Sequence, residues 1–372
     1  MSTKKADSVT DTVLSFISKF SSGGMRLMSD DTAGRVEAVS TGNIAIDIAS
    51  GIGGFPRGRA VEIFGPESSG KTTVCLQACA EFNKLGEYVL FLDFEHALDI
   101  DYAVDLGCKK KKFIVSQPDT AEGGYDEAFD AVRAGVKCIV IDSIAAMTTR
   151  QELNGEIGDA NIGSLARLQS QTMKKFMAIL SVHNATAIYT NQVREKVGVM
   201  YGSPITTPGG RASKFYCSMR MEVKRVSQPN KDGDVAVSSS TTVKFVKNKL
   251  APPFTEAKFD IVYGQGADNV SAIIELAESA KVIKKKGSWF SHEGQLLAQG
   301  EKRLNALLSS DPDLYQKIKE QTIATIKPAK VEEEDTKPKP KPLKLGAPKE
   351  VSVTETESAP KVKMRSVFRD DE

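Results

Sequence analysis

Apolar residues follow two rhythms along this chain of 372 residues. Between about 37 and 265, short apolar runs alternate with stretches in which apolar positions recur every three or four residues. The runs include "VEIF" before Gly65, "YVLFLDFEHALD" (Tyr88–Asp99) and "VKCIVIDSIAAM" (Val136–Met147). Such runs predict strands buried on both faces, and the stretches between them predict helices. Together they argue an α/β fold with a mainly parallel sheet. Upstream, Val9, Val13, Leu14, Phe16, Ile17 and Phe20 keep helical spacing until the Gly23-Gly24 break. A helix with an apolar stripe outside the core is a candidate for packing on a neighbouring subunit. Downstream, "KVIKKKGSWFSHEGQLLAQG" (281–300) belongs to a smaller helical and β module of about 60 residues. Beyond 327 the chain becomes "KPAKVEEEDTKPKPKPLKLGAPK", too poor in large apolar residues to build a core, and is expected to be disordered.

Two segments interrupt the rhythm. "NGEIGDANIG" (154–163) leads into a helix expected over about 164–182. "VREKVGVMYGSPITTPGGRASKF" (193–215) has four glycines, two prolines and too few apolar residues for one element. Loops of this length are commonly functional or disordered. Residues 194–225 hold seven basic side chains against two acidic ones. A basic, glycine-containing loop suits a phosphate backbone, although a solvated surface loop would read the same way. Aromatic residues are sparse here, so binding would rest on charge and backbone amides, with weak sequence selectivity.

The end of the first strand carries more specific chemistry. "VEIFGPESSGKTT" fits Gly-x4-Gly-Lys-Thr, with Gly65, Gly70, Lys71 and Thr72 in place. Glycines let such a loop (Gly65, Pro66, Glu67, Ser68, Ser69, Gly70) turn its backbone N–H groups toward phosphate oxygens. A helix expected over 72–85 adds a favourable N-terminal dipole. Lys71 would reach the β- and γ-phosphates, and the Thr72 hydroxyl would ligate Mg²⁺. An ordinary glycine turn lacks this strand-before, helix-after context. Two further strands should end beside the same phosphates, one carrying Asp93 and Glu95, the other Asp142 and Ser143. Asp142 suits the metal shell, and Glu95 is placed to activate water.

Net charge is +2, too small to imply a partner by itself. No apolar run reaches 18 residues, and Ser and Thr interrupt the N-terminal apolar stretch, so neither a membrane span nor a signal peptide is expected. A cytoplasmic protein follows. Cys75, Cys79, Cys108, Cys138 and Cys217 form no Cys-x-x-Cys pair, and no structural metal is expected.

The stretches "STGNIAID", "GRAVEIFGPESSGKTT", "FLDFEHALD", "VSQPDT", "GEIGD", "TNQVREKVGVMYG", "TTPGGRASKFY" and "KFVKNKLAPPF" resemble the RecA family of homologous-recombination ATPases, in one register from about residue 8 to 325. The resemblance implies a RecA-type P-loop ATPase core with a mainly parallel twisted sheet, an N-terminal helix and a small α+β C-terminal domain. It divides the chain into 1–36 (oligomerisation helix and linker), 37–266 (ATPase core), 267–327 (DNA-gathering domain) and 328–372 (disordered Lys/Pro-rich tail). It implies a helical filament on single-stranded DNA, with ATP and Mg²⁺ as cofactors, that pairs homologous duplex and exchanges strands. A LexA-type repressor, single-strand binding protein and a role in the SOS response belong to the same picture.

Residue by residue, the resemblance gives Lys71, Thr72 and Thr73 to the nucleotide, Tyr102 to adenine, Asp142 to the metal shell and Glu95 to the catalytic base. Gln192 would report the γ-phosphate to the second loop. Segments of about 154–163 and 193–211 would be the DNA-binding loops, with Arg167, Lys174, Arg194, Lys196, Gly209, Gly210 and Arg211 as contacts. Lys247 and Lys249 would reach a neighbour's nucleotide. Two ammonium groups on one strand face repel, and they are not expected to be buried against their own core. Lys281, Lys284–Lys286 and Lys302 would help gather duplex. Pro208, just before Gly209, departs by stiffening the loop, and the mixed-charge tail departs by repelling duplex DNA less. A ring helicase or other DNA motor uses the same core. The continuous match through the N-terminal helix, both loops and the C-terminal module speaks against it.

If the second loop grips phosphates, replacing Arg194, Lys196 or Arg211 singly by Ala should lower the salt slope of single-strand binding by roughly 0.7 per lost contact. Slopes unchanged in all three variants would remove this loop from the DNA surface.

Overall fold

The computed structural model describes residues 3–19, 36–156, 163–195, 205–226, 230–232 and 235–326. The chain divides into a unit spanning Met1–Pro328 and a second spanning Ala329–Glu372. The second unit, and with it the tail expected to be disordered, lies outside the described residues.

The apolar runs form the centre of a mixed sheet. β3 (Ala60–Gly65), β4 (Val89–Asp93), β5 (Phe113–Ser116), β6 (Cys138–Asp142), β7 (Thr186–Gln192) and β10 (Met219–Arg225) run parallel. Beyond β10 the sheet turns antiparallel through β12 (Val235–Asn248), β13 (Glu256–Val262) and β14 (Gly266–Ala267). The order is β14-β13-β12-β10-β3-β7-β6-β4-β5, and β11 (Asn230–Asp232) pairs with β12. Two small ladders accompany it: β1 (Ala38–Val39) with β2 (Phe55–Pro56), and β8 (Arg194–Glu195) with β9 (Ile205–Thr206).

Alternation along the strands builds two cores. Val61, Ile63 and Phe91 join Val74, Cys75, Leu76 and Cys79 of α3 (Lys71–Lys84) on one face. Leu90, Leu92, Ile139, Ile141 and Tyr189 pack on the other face, under α5 (Ala121–Arg133) and α7 (Ser164–His183). A strand buried on both faces has no polar side, which explains the continuous apolar runs. Tyr125 and Phe129 meet Phe176 edge-on at 6.3 and 5.2 Å. The five cysteines are buried and free, and burial pushes the Cys75 and Cys79 thiols up, away from reactivity.

Local signals set the helix ends. Asn43 caps α2 (Ile44–Ser50), its Oδ1 accepting from the Ala45 and Ile46 amides, and Gly51 closes the helix at φ +73°. α1 (Thr3–Lys19) realises the N-terminal stripe and leaves Val13, Leu14 and Phe16 about half exposed. The C-terminal module is an antiparallel sheet of β15 (Ile283–Lys286), β16 (Trp289–His292) and β17 (Gln295–Gln299). It carries α9 (Asn269–Ser279), α10 (Glu301–Ser310) and α11 (Pro312–Ile326), with Ile273, Phe290, Leu304 and Ile318 at its own core. Lys284, Lys285 and Lys286 are exposed on β15.

Phe176→Ala should cost about 3–5 kcal/mol in denaturant unfolding, because a fully buried ring leaves a cavity between α5 and α7. Val182→Ala, on the same helix but 81% exposed, should stay within about 0.5 kcal/mol. Equal losses in both would refute this placement of the core.

Candidate functional site

β3, β4, β6 and β7 all deliver their carboxyl ends to one cleft of about 690 Å³. Close backbone approach dictates the glycines there. A Cβ on Gly65 would lie 2.1 Å from the Val223 carbonyl oxygen. One on Gly70, at φ +96°, would lie 2.3 Å from Ile261. The loop between them opens into α3, whose first residues Lys71, Thr72 and Thr73 line the cleft. Lys71 Nζ donates to the Gly65 and Pro66 carbonyls at 3.2 and 2.7 Å, within its own loop. Burial lowers its pKa, and the Asp142 and Glu95 charges partly offset that.

Asp142 ends β6 as a buried carboxylate held by two hydroxyls. Thr72 Oγ1 donates to Oδ2 at 2.8 Å, and Thr190 Oγ1 donates to Oδ1 at 2.5 Å. Burial raises its pKa, while these two bonds lower it. Glu95 lies on the turn after β4 and is exposed. Asp93 builds that turn by accepting from the Ala97 and Leu98 amides and from Gln117, so it supports Glu95 from behind. Ser143 Oγ donates to Glu95 Oε1, and Gln192 Nε2 reaches the same oxygen at 3.3 Å. Tyr102 OH lies 3.1 Å from Thr73 Oγ1 at the other end of the cleft. Glu67, Ser68 and Ser69 complete the loop wall.

The structure thus brings together Lys71, Thr72, Thr73, Glu95, Tyr102, Asp142 and Gln192. Sequence reading missed Thr190 as the residue that orients Asp142. A hydroxyl inside the apolar strand "AIYTNQ" was the available signal. It also missed Ser239, Ile261 and Tyr263, which enter the cleft from β12, from β13 and just after β13. No local pattern announces a wall formed by distant strands.

Lys247 and Lys249 lie elsewhere, and not as repulsion alone suggests. Lys247 Nζ donates to the Lys214 and Phe215 carbonyls at 2.6 and 3.1 Å, and Lys249 Nζ to Phe215 at 3.2 Å. Both ammonium groups therefore cap the C-terminal end of α8 (Ala212–Tyr216) in their own chain. Lys247 is half-buried, and burial, with Lys249 nearby, lowers its pKa. Neither lysine is buried in a core, and helix carbonyls offset their mutual repulsion.

Of the loop residues, Arg167 and Lys174 are exposed on α7 two turns apart, and Arg194 and Arg211 are exposed at the two ends of the second segment. Lys196 lies outside the described residues, as do 157–162 and 196–204. Gly209 and Gly210 are half-buried at φ +79° and +78°. A Cβ would lie 2.6 Å from Ile144 on the first and 2.7 Å from Ala166 on the second. Their glycine identity is explained by packing against their own chain.

Comparison with known proteins agrees over most of the chain. The RecA N-terminal domain model matches residues 8–268 and the RecA C-terminal domain model matches 271–327. Protein RecA of Ruminococcus albus is 48% identical over 317 residues, covering 85% of this chain and 79% of that one. Protein RecA of Corynebacterium efficiens is 48% identical over 313 residues, covering 84% and 81%. That of Corynebacterium diphtheriae is 49% identical over 313 residues, covering 84% of each.

If Asp142 serves a cation, as the resemblance implies, it does so as the carboxylate, and metal–nucleotide affinity should weaken as pH falls through its raised pKa. Thr190→Val removes one bond that favours the carboxylate, so the acid limb should move to higher pH. A pH series of nucleotide binding with Mg²⁺ checks this, and a limb that does not move would separate Thr190 from the site.

Proposed function

The chain belongs to the RecA family and is a RecA recombinase, and we propose that its ATP hydrolysis is switched on by DNA and coupled to strand exchange inside a filament. The observation that carries this reading is the charge of the cleft. Among the described residues lining it, Lys71 is the one cation, facing Glu67, Glu95, Asp99, Asp101, Asp105 and Asp142. A triphosphate brings more negative charge into an acidic wall. One lysine, itself engaged with loop carbonyls, does not neutralise it. Arg194, which donates to Gln192 Oε1 at 3.0 Å, and Lys110, 3.9 Å from Asp101, stand at the rim and are exposed to solvent. We infer that the isolated chain is an incomplete catalyst that needs cations from outside its own fold.

Two sources fit. Thr72 and Asp142 offer hard oxygen donors 2.8 Å apart, suited to a divalent cation that takes its remaining ligands from phosphate and water. Magnesium, when bound there, neutralises charge on the phosphate oxygens. The second source is Lys247 and Lys249 of a neighbouring subunit. In trans cations can raise phosphoryl-transfer rates by about 10³–10⁵. Within the chain itself, Lys71 holds phosphate, Tyr102 stacks on adenine, and Glu95 takes the proton of the attacking water. Ser143 and Gln192 orient the Glu95 carboxylate. Gln192 ends β7 where the second DNA segment begins, so DNA bound there has a short route to the base.

DNA contacts are assigned to Arg167, Lys174, Arg194, Lys196 and Arg211, with backbone amides at Gly209 and Gly210. The exposed lysines of β15, with Lys281 and Lys302, suit gathering of duplex. The half-exposed stripe of α1 suits a neighbour in the filament. Among the described residues no helix is long and apolar enough to cross a membrane. A LexA-type repressor and single-strand binding protein remain expected partners, and the cytoplasm the expected compartment. A ring-forming motor is not favoured, since both RecA domain models match in sequence order through the C-terminal module.

Lys71→Ala should abolish nucleotide binding, because a charge set against two phosphates is lost. Glu95→Gln should keep binding and lose hydrolysis by about 10²–10⁴-fold. Mixing inactive Glu95→Gln subunits with inactive Lys249→Ala subunits should recover hydrolysis on DNA, because intact Glu95 then meets an intact neighbouring Lys249. Mixed filaments with no recovery at any ratio would refute the in-trans role.

A further inference from the structure

A fully buried carboxylate lies below the cleft, outside the nucleotide contacts. Glu62 points from β3 to the α7 and α8 side of the sheet and has no exposed surface. Burying a charge this deeply is costly unless it is paired and hydrogen-bonded. Three elements supply the partners. Asn191 Nδ2 donates to Oε1 at 3.1 Å, Ser213 Oγ donates to Oε1 at 2.9 Å, and Arg220 Nε donates to Oε2. The Arg220 guanidinium also sits 4.6 Å from the ring centroid of Phe64, the residue before the phosphate loop.

These partners are not scattered. Asn191 is the last residue but one of β7, where the chain departs toward the second DNA segment. Its Nδ2 donates a further bond to the Pro208 carbonyl at 3.1 Å, where the chain returns. Ser213 lies on α8, which follows at once. The Arg194↔Thr206 pair of β8 and β9 stands just beyond. Both ends of the segment are therefore tied to one carboxylate. Asn191 Oδ1 also accepts from the Gln192 amide at 3.0 Å, and Gln192 Nε2 reaches Glu95. A hydrogen-bonded chain thus runs from Arg220 through Glu62 and Asn191 to Gln192 and the base.

We propose that Glu62 is a positioning residue, whose buried carboxylate clasps both ends of the 193–207 segment and thereby sets Gln192 against Glu95. A simpler role would be to neutralise Arg220. That role requires one contact, whereas the carboxylate spends its other oxygen on the two ends of the segment. The clasp ties the described ends of the segment, at Asn191 and at Pro208 and Ser213, to one another, so that a strand bound at Arg194 or Arg211 acts on Gln192 through a rigid base. This coupling role rests on the DNA-dependent reading above, but the clasp itself does not.

The test uses the full-length protein with Glu62→Gln, which keeps the shape and removes the charge, and Asn191→Ala as a second variant. Thermal unfolding checks that each is folded. In protein without DNA or nucleotide, amide hydrogen exchange is followed at Gln192 on the entry side and at Phe215 and Cys217 on the exit side. In Glu62→Gln exchange should speed by about tenfold at both ends together. In Asn191→Ala it should speed at Phe215 and Cys217, although Asn191 lies at the other end of the segment, on β7. With single-stranded DNA, kcat for ATP should fall about fivefold or more while KM stays within about twofold, the split expected when orientation of the base is lost and binding is not. Exchange unchanged at the exit end in whichever variants fold would overturn the clasp. Faster exchange with kcat unchanged would overturn its coupling to Glu95. A parental protein lacking DNA-stimulated hydrolysis would sink the functional reading, and the exchange arm would still decide the clasp.

Discussion

The buried Asp142 carboxylate is the point from which the site is organised. It is charged, nearly enclosed and placed at the end of a central strand, so it must be held by donors on several sides. Thr72 supplies one from the start of α3 and Thr190 another from β7. Its own backbone oxygen accepts from the Phe94 amide at 2.8 Å, which fixes the start of the turn bearing Glu95. One residue therefore registers the loop bearing Lys71, the turn bearing Glu95 and the strand ending in Gln192 to one another. The parallel order β3-β7-β6-β4 makes this possible, because only parallel neighbours end side by side.

The second organising feature is deficit. Among the described residues the cleft gathers acids around a single lysine, while the two lysines expected to serve nucleotide are engaged with the end of α8 in their own chain. Each ammonium donates to helix carbonyls, which are good partners but neutral ones. A triphosphate on a neighbour offers a stronger, charged acceptor. An exchange of partners between α8 and phosphate would tie the neighbour's nucleotide to the element that follows the second DNA segment. Assembly, nucleotide and DNA then act on the same few bonds.

Much of this was legible in the sequence because it is local. The apolar runs reported strands covered on both faces, and the glycine spacing around Lys71 reported a loop that must pass close to other backbone. Asp142 and Glu95 were marked by their place at strand ends. What remained hidden depends on register between distant strands. Glu62 is one polar residue in an apolar run, with no role apparent until Asn191, Ser213 and Arg220 are brought to it. The Lys247–Lys249 pair was read through mutual repulsion, and the carbonyls of α8 could not be weighed before the fold was known. In the sequence Gly209 and Gly210 stand out only as DNA contacts implied by the resemblance, whereas positive φ and contact with Ile144 and Ala166 demand glycine there. The antiparallel flank from β12 to β14 was likewise invisible as a cleft wall.

The claim most open to direct measurement is that one chain alone is an incomplete catalyst. ATP turnover per chain should be followed against protein concentration, with and without single-stranded DNA, at saturating ATP and Mg²⁺. Turnover per chain should stay low without DNA. With DNA it should rise with concentration until filaments are complete and then level off. Turnover per chain that is the same at every concentration, and the same with or without DNA, would contradict the account, because it would mean that the acidic cleft with Lys71 alone suffices.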